Sequence, residues 1–182
     1  MSLSCTDHLI QEHRLILRAV YIVKVMADQA KQLKMPDSAD VEALLAFFQR
    51  FADEHHQTKE ETILFPSLRT ASSGKTNNST HQLAFEHEQE RLLTQALLDA
   101  LRTRKHEDFA YFGNRLAEVL GNHIYKEDHI LSELANATIP AEMDATLVRE
   151  MTEFDRSLQP GLYNEWILSI KRLEGTYLNK VA

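Results

Sequence analysis

Apolar residues recur every three or four positions over most of the chain, a spacing that predicts long amphipathic helices. Four such helices are predicted, at about residues 6–34, 37–68, 79–104 and 107–134. Thr6 is the expected cap of the first, and Pro66 is expected to kink or stop the second. The polar segment 71–78 predicts a loop that divides the sequence into two helical pairs.

A further helical region is predicted after Pro140, interrupted at residues 159–161 and continuing to about Tyr177. Long helices joined by short loops form antiparallel bundles. We therefore predict an all-α fold: one domain over residues 1–182, with a four-helix bundle core at about 6–135. A C-terminal helical extension at about 140–178 is expected to pack outside the bundle or across its end.

Composition narrows the function without specifying it. Apolar content of 43% and charged content of 26% are ordinary for a globular protein, and five Gly and four Pro favour helices. A net charge of −7 argues against a nucleic-acid partner, and no apolar run predicts a membrane segment or signal peptide. A single cysteine, Cys5, makes a reducing compartment the default, so we expect a cytoplasmic protein.

One motif occurs twice: residues 56–64 and 123–131 both fit H-x-x-K-E-[E/D]-x-I-L. Residues four apart lie on the same face of a helix. His56 and Glu60 are therefore expected to face one point, and so are His123 and Glu127. Carboxylates on an apolar helix face are costly to bury unless they are paired or bind a metal.

Each copy of the motif follows a Glu-His pair on the preceding helix, at residues 12–13 and 86–87. Four helices that direct imidazoles and carboxylates into one core are typical of a dinuclear metal site. Ion pairs with Lys59 or Lys126 are the alternative, but these lysines are expected to point elsewhere on their helices. Imidazole and carboxylate ligands suit iron or manganese, and zinc remains an alternative.

The pattern, with Leu64-Phe65-Pro66 after the first motif, resembles the hemerythrin-like (HHE) cation-binding domain family over about residues 6–134. The resemblance implies a four-helix bundle around a non-haem, oxo-bridged pair of iron ions. Carried over position by position, it implies one set of ligands: His13, His56, Glu60, His87, His123 and Glu127. Asp128 is the second choice for the last ligand.

The third helix departs from the oxygen carriers of that family. Those proteins have a His-x-x-x-His pair there, whereas the residue four before His87 is Leu83. We therefore expect a centre that reacts with or senses oxygen, peroxide or nitric oxide, or that serves iron handling, rather than a reversible oxygen carrier. The competing hypotheses are a regulatory or interaction module with a structural metal, which could have a protein partner, and a metal-free scaffold.

The remaining histidines are not predicted to be ligands. His55 lies about a hundred degrees around the helix from His56, and we expect it to flank the site or face solvent. His129 is turned away from His123 in the same manner. Glu12 and Glu86 are expected either to orient an imidazole or to be exposed.

Overall fold

The structure, a computed structural model, describes residues 4–178, and over this range it contains helices and turns but no strand. The all-α prediction is confirmed. Two of the six helices, α2 and α4, continue through wider π-helical turns. The helices are α1 (Cys5–Lys31), α2 (Ser38–Phe47, Phe48–Gln57, Glu60–Leu64, Phe65–Ala71), α3 (Asn77–Arg102), α4 (His106–Lys126, Glu127–Leu131, Ser132–Thr138), α5 (Ala141–Arg156) and α6 (Leu162–Tyr177).

Two helix boundaries differ from the predicted ones, at the start of α1 and at Pro66 in α2. The cap of helix α1 is Ser4, two residues before the predicted Thr6, because Ser4 and Asp7 form a reciprocal capping box. Helix α2 does not stop at Pro66. This proline falls in the first turn of the segment Phe65–Ala71, directly after π-helical turns, and a missing backbone N–H is tolerated at such a position.

Helices α1 to α4 form the bundle, and α1 approaches α4 very closely. A Cβ atom placed on Gly113 of α4 would lie 2.9 Å from the Cβ of Ala27 on α1, so only glycine allows this distance. None of the helices between residues 4 and 178 combines the length and apolarity that crossing a membrane requires.

Helices α5 and α6 lie along the side of the bundle, against α1 and α2, rather than across its end. Arg18 of α1 forms a two-point ion pair with Glu174 of α6, at 2.7 and 2.6 Å. Tyr177 of α6 donates a hydrogen bond to Asp40 of α2. The extension therefore covers the α1–α2 face of the bundle.

The apolar core consists of two clusters, with a polar layer between them. The larger cluster fills most of the bundle and includes Phe51 and Trp166. The smaller one lies at the other end and includes Leu9, Leu64 and Leu131. The polar residues between the clusters are the ones on which the functional argument depends.

Candidate metal centre

The structure brings the six residues of the predicted ligand set together. Their side chains are at least nine-tenths buried and belong to four helices: His13 on α1, His56 and Glu60 on α2, His87 on α3, and His123 and Glu127 on α4. They form two groups of four, each with its potential ligand atoms within 4.8 Å of one another. Glu60 and Glu127 belong to both groups.

The four imidazoles form two pairs. The Nε2 atoms of His13 and His56 are 2.9 Å apart, and those of His87 and His123 are 3.0 Å apart. Two ring nitrogens this close require a shared proton or a cation near them, since two lone pairs would repel. Each pair therefore marks one position for a positive charge.

The outer nitrogen of every imidazole is held by a carboxylate. The partners of the four Nδ1 atoms are Asp128 for His13 (2.6 Å), Glu12 for His56 (2.8 Å), Glu61 for His87 (2.7 Å) and Glu86 for His123 (3.0 Å). An ionised carboxylate only accepts hydrogen bonds, so Nδ1 carries the proton and Nε2 is directed inward. Metal-binding histidines are commonly oriented in this way.

Glu60 and Glu127 connect the two imidazole pairs. One oxygen of Glu60 lies 3.4 Å from Nε2 of His56, and the other lies 3.4 Å from Nε2 of His87. Glu127 Oε2 lies 3.4 Å from Nε2 of His13 and 3.2 Å from Nε2 of His123. All four oxygens of these two carboxylates are buried without a hydrogen-bond partner. Such atoms are costly to bury unless a cation satisfies them.

The carboxylates of the polar layer require a positive charge close to them. Burial would lower the pKa of His13, but its contacts with Asp128, Glu127 and Glu60 raise that pKa well above its ordinary value. Burial likewise opposes ionisation of Glu60, yet the neighbouring imidazoles hold its pKa well below the ordinary value. Either protons or metal ions must neutralise the two carboxylates, and the two kinds of cation compete for the same Nε2 atoms.

The helical spacing predicted that the lysines of the repeated motif point away from Glu60 and Glu127, and neither lysine forms an ion pair with these carboxylates. Lys59 is fully buried and donates to Glu12 at 2.5 Å, while Lys126 forms the equivalent ion pair with Glu86. Each of these glutamates also holds a histidine, so each lysine acts on an imidazole through a carboxylate. The glutamates that bond these lysines belong to neighbouring helices, and Glu60 and Glu127 are left without an ion pair to either lysine.

His55 is buried rather than exposed, and it belongs to a network that the sequence did not predict. Its Nε2 lies 3.2 Å from Glu12 and 3.1 Å from Asp155 of α5. Asp155 also accepts a hydrogen bond from Lys59 at 2.8 Å. His8, Glu12 and Asp155 could together hold another metal, but the Lys59 ammonium already donates hydrogen bonds to both of these carboxylates.

The second choice for a ligand, Asp128, lies outside the inner set and instead holds the Nδ1 of His13. Glu61 occupies the same position in the first copy of the motif and holds His87. The sixth position of the repeat is acidic in both copies, and this was the sequence feature that could have indicated a residue holding a histidine Nδ1. His129, which was left out of the predicted ligands, is turned outward onto the backbone of Tyr125.

A small cavity adjoins the centre on the side of the smaller apolar cluster. It has a volume of about 10 Å³, close to that of one water molecule, and His13, Glu60 and Glu127 line one side. Leu9, Leu64 and Leu131 are among the residues of the opposite wall. The space next to the bridging carboxylates is therefore small and largely apolar.

Comparison with known proteins identifies one family. The family model for the hemerythrin HHE cation binding domain matches residues 5–135. No curated protein and no solved structure matches the chain. The match covers most of the chain, includes all four bundle helices, and ends before α5. The predicted family resemblance is confirmed.

Proposed function

The chain belongs to the hemerythrin HHE cation binding domain family, and we propose that it is a non-haem di-iron protein that reacts with oxygen, peroxide or nitric oxide. His13 and His56 would hold one iron, and His87 and His123 the other. Glu60 and Glu127 would bridge the two. The observation that carries the proposal is the set of four inward Nε2 atoms facing four unpartnered carboxylate oxygens.

The donor set favours iron over the alternatives. It contains only imidazole and carboxylate groups, which suit iron and manganese, and the one cysteine takes no part. Dinuclear iron sites in helix bundles use such inward-facing histidines and glutamates. When bound, an iron pair supplies one-electron redox chemistry and positions for a small ligand. Manganese and zinc are the alternatives that metal analysis distinguishes.

The surroundings favour a small, uncharged or weakly polar reactant. The cavity beside the carboxylates accepts a molecule about as large as water, and its leucine wall disfavours a charged one. Leu83, one turn before His87, is buried and supplies no further imidazole. A centre with one imidazole fewer than an oxygen carrier has a coordination position free for reaction. These features support reaction with a diatomic molecule or peroxide rather than reversible oxygen storage.

A second candidate function is regulation, in which the metal centre reports iron or oxygen status to another part of the molecule. The observation that favours it is the contact chain from His56 through Glu12 and Lys59 to Asp155. This chain links the bundle site to α5, which lies beyond the family match. A change at His56 would therefore reach the C-terminal extension through hydrogen-bonded charges.

The experiment that tests the main proposal is rapid mixing of the iron-loaded, chemically reduced protein with oxygen, hydrogen peroxide or nitric oxide. We expect rapid oxidation in air and a distinct spectrum with nitric oxide. The matched variant Leu83→His adds the imidazole that oxygen carriers have at this position, and we expect it to oxidise more slowly. A spectrum that reverses fully when oxygen is removed under vacuum would contradict the proposal and favour oxygen storage.

A further inference from the structure

A large cavity lies in a groove between α2 and α3, which we call the α2–α3 groove. Its volume is about 500 Å³, within the range of small-molecule sites. Its apolar lining includes Leu45, Phe48, Leu98 and Leu120. This groove is separate from the small cavity beside the bridging carboxylates, because the two share no lining residue.

The groove is present on only one side of a bundle that is otherwise approximately two-fold symmetric. The symmetry that relates the two motif copies also relates the α2–α3 interface to the α4–α1 interface. On the α4–α1 side, Gly113 and Ala27 allow the helices to meet, and the interface is closed. The α2–α3 side remains open, although the same repeat forms it.

Two polar side chains lie at the bottom of the groove, and both are almost fully buried. Gln57 is 3% exposed and Glu90 is 4% exposed. The Nε2 of Gln57 donates to Glu90 Oε2 at 2.5 Å, which leaves Gln57 Oε1 and Glu90 Oε1 without a partner. Buried oxygens without a donor are unfavourable, so both atoms require a hydrogen-bond donor from the groove.

The metal centre does not account for these two residues. The repeat aligns Gln57 with Ile124 and Glu90 with Ile16, since His56 matches His123 and His13 matches His87. Both isoleucines pack into the apolar core of the bundle. One half of the centre is therefore built with isoleucine at positions where the other half carries a polar pair facing a cavity.

We propose that the α2–α3 groove binds a small, neutral aromatic molecule through a hydroxyl group, which Gln57 and Glu90 recognise. The single O–H of a hydroxyl supplies a donor to one of the two unpartnered oxygens, and an aromatic ring fits the apolar walls at Phe48 and Leu98. An anionic ligand would meet the Glu90 carboxyl group. It would find Arg91 already bound to Asp53, Glu61 and Glu88.

The site lies next to the metal centre but does not depend on it. Glu90 Oε1 is 3.9 Å from Nδ1 of His123, so a bound hydroxyl would be one carboxylate away from a predicted iron ligand. The recognition groups belong to α2 and α3 and are already assembled in the structure. Binding at the groove can therefore be measured whether or not iron is present.

The test compares two ligands that differ only in the donor, 2-naphthol and its methyl ether, by calorimetry on the full chain. We expect 2-naphthol to bind about tenfold more tightly, because its hydroxyl donates one hydrogen bond to a buried oxygen that the ether leaves unpaired. The double substitution Gln57→Leu and Glu90→Leu should reduce this preference to about onefold. Equal affinity of the two ligands for the unmodified protein, or an unchanged preference in the double variant, would overturn the proposal.

A second variant keeps the test independent of whether the double variant folds. Thr94 lines the groove, and Thr94→Phe should abolish binding of both ligands by filling it. Thr62→Phe on the exposed part of α2, outside the groove, is the matched control and should bind as the unmodified protein does. Binding that survives Thr94→Phe would place the naphthol elsewhere and contradict the proposal. Measurements with and without iron separate this result from a failure of the proposed di-iron function.

Discussion

The two halves of the metal centre share a sequence motif but have different surroundings. In the half formed by α1 and α2, Lys59 is fully buried and bonds both Glu12 and Asp155. In the half formed by α3 and α4, Lys126 bonds Glu86 while 31% of its side chain remains exposed. The repeat builds the same inner site twice, and helices outside the repeat give the halves different environments.

This difference separates the contribution of each half to metal binding from its contribution to the stability of the fold. Both halves offer equivalent histidines, so we expect them to contribute similarly to metal binding. The α1–α2 half is joined to the C-terminal helices by charged contacts of Lys59 and His55 with Asp155, and His55 also packs against Phe51 and Trp166. We therefore expect stability to depend more strongly on this half than on the other.

The largest effect is expected when a carboxylate that contacts both halves of the centre is removed. Either Glu60→Ala or Glu127→Ala should eliminate both metals, because each carboxylate contacts both imidazole pairs. Metal analysis of the purified variants measures this loss. The matched control is Glu133→Ala, an exposed glutamate on the same helix as Glu127, which should retain full metal content. A variant that retains one metal would show that its carboxylate does not bridge.

The second prediction concerns the two lysines of the motif, whose surroundings differ between the halves. Lys59→Met should destabilise the protein by about 3 kcal/mol, because it leaves the buried Glu12 carboxylate beside the half-buried Asp155 without the lysine ammonium. The equivalent change Lys126→Met should cost less than about 1 kcal/mol, since Glu86 can be solvated there. Urea unfolding measures both values. Equal losses in the two variants would remove the proposed asymmetry.

The third prediction concerns Glu12 and Glu86, which have equivalent roles in the two halves. Glu12→Gln and Glu86→Gln each replace a carboxylate that holds the Nδ1 of a predicted ligand. Loss of such a partner weakens metal binding by about 10- to 100-fold, and we expect similar losses in the two variants. Competition with a chelator of known affinity gives the values. A variant that binds iron as tightly as the unmodified protein would show that its carboxylate does not support the imidazole.

The smallest effect is a pH dependence that differs between the metal-free and the metal-loaded protein. Burial lowers the pKa of His87, but Glu60 and Glu61 outweigh it and raise that pKa to about 9. Protonation of His87 therefore stabilises the metal-free fold fully below its unfolded value of about 6.5, and this stabilisation is lost as the pH rises through about 9. Metal binding needs the deprotonated imidazole, so the stability of the metal-loaded protein relative to the metal-free protein should increase as the pH rises through about 9.

Thermal unfolding at about pH 6 and about pH 9.5 measures how the melting temperature of each form depends on pH. We expect the metal-free protein to melt at a lower temperature at the higher pH. The melting temperature of the loaded protein, relative to that of the metal-free protein at the same pH, should increase. If the difference between the two forms is independent of pH, the histidines do not exchange protons for metal.

Much of this architecture could be predicted from the sequence because it is locally encoded and repeated. The spacing of apolar residues gave the bundle helices, and the duplicated motif gave six residues that the structure brings together. The outer carboxylates Glu61 and Asp128 follow from the same repeat once neighbouring helices are known to reach them. These features need only helical geometry and the pairing of helices.

The features that could not be predicted depend on tertiary packing. Asp155 reaches Lys59 because α5 lies along α1, which no local pattern indicates. Gln57 and Glu90 break the repeat, and a comparison of the two motif copies alone could not show that they meet at a groove.

The most direct test of the central claim is the iron content of the purified full chain after expression in iron-rich medium, together with its Mössbauer spectrum. Two iron ions per chain, magnetically coupled to each other, are expected from two imidazole pairs joined by Glu60 and Glu127. A protein that holds no iron, a single iron, or two uncoupled irons would contradict the account.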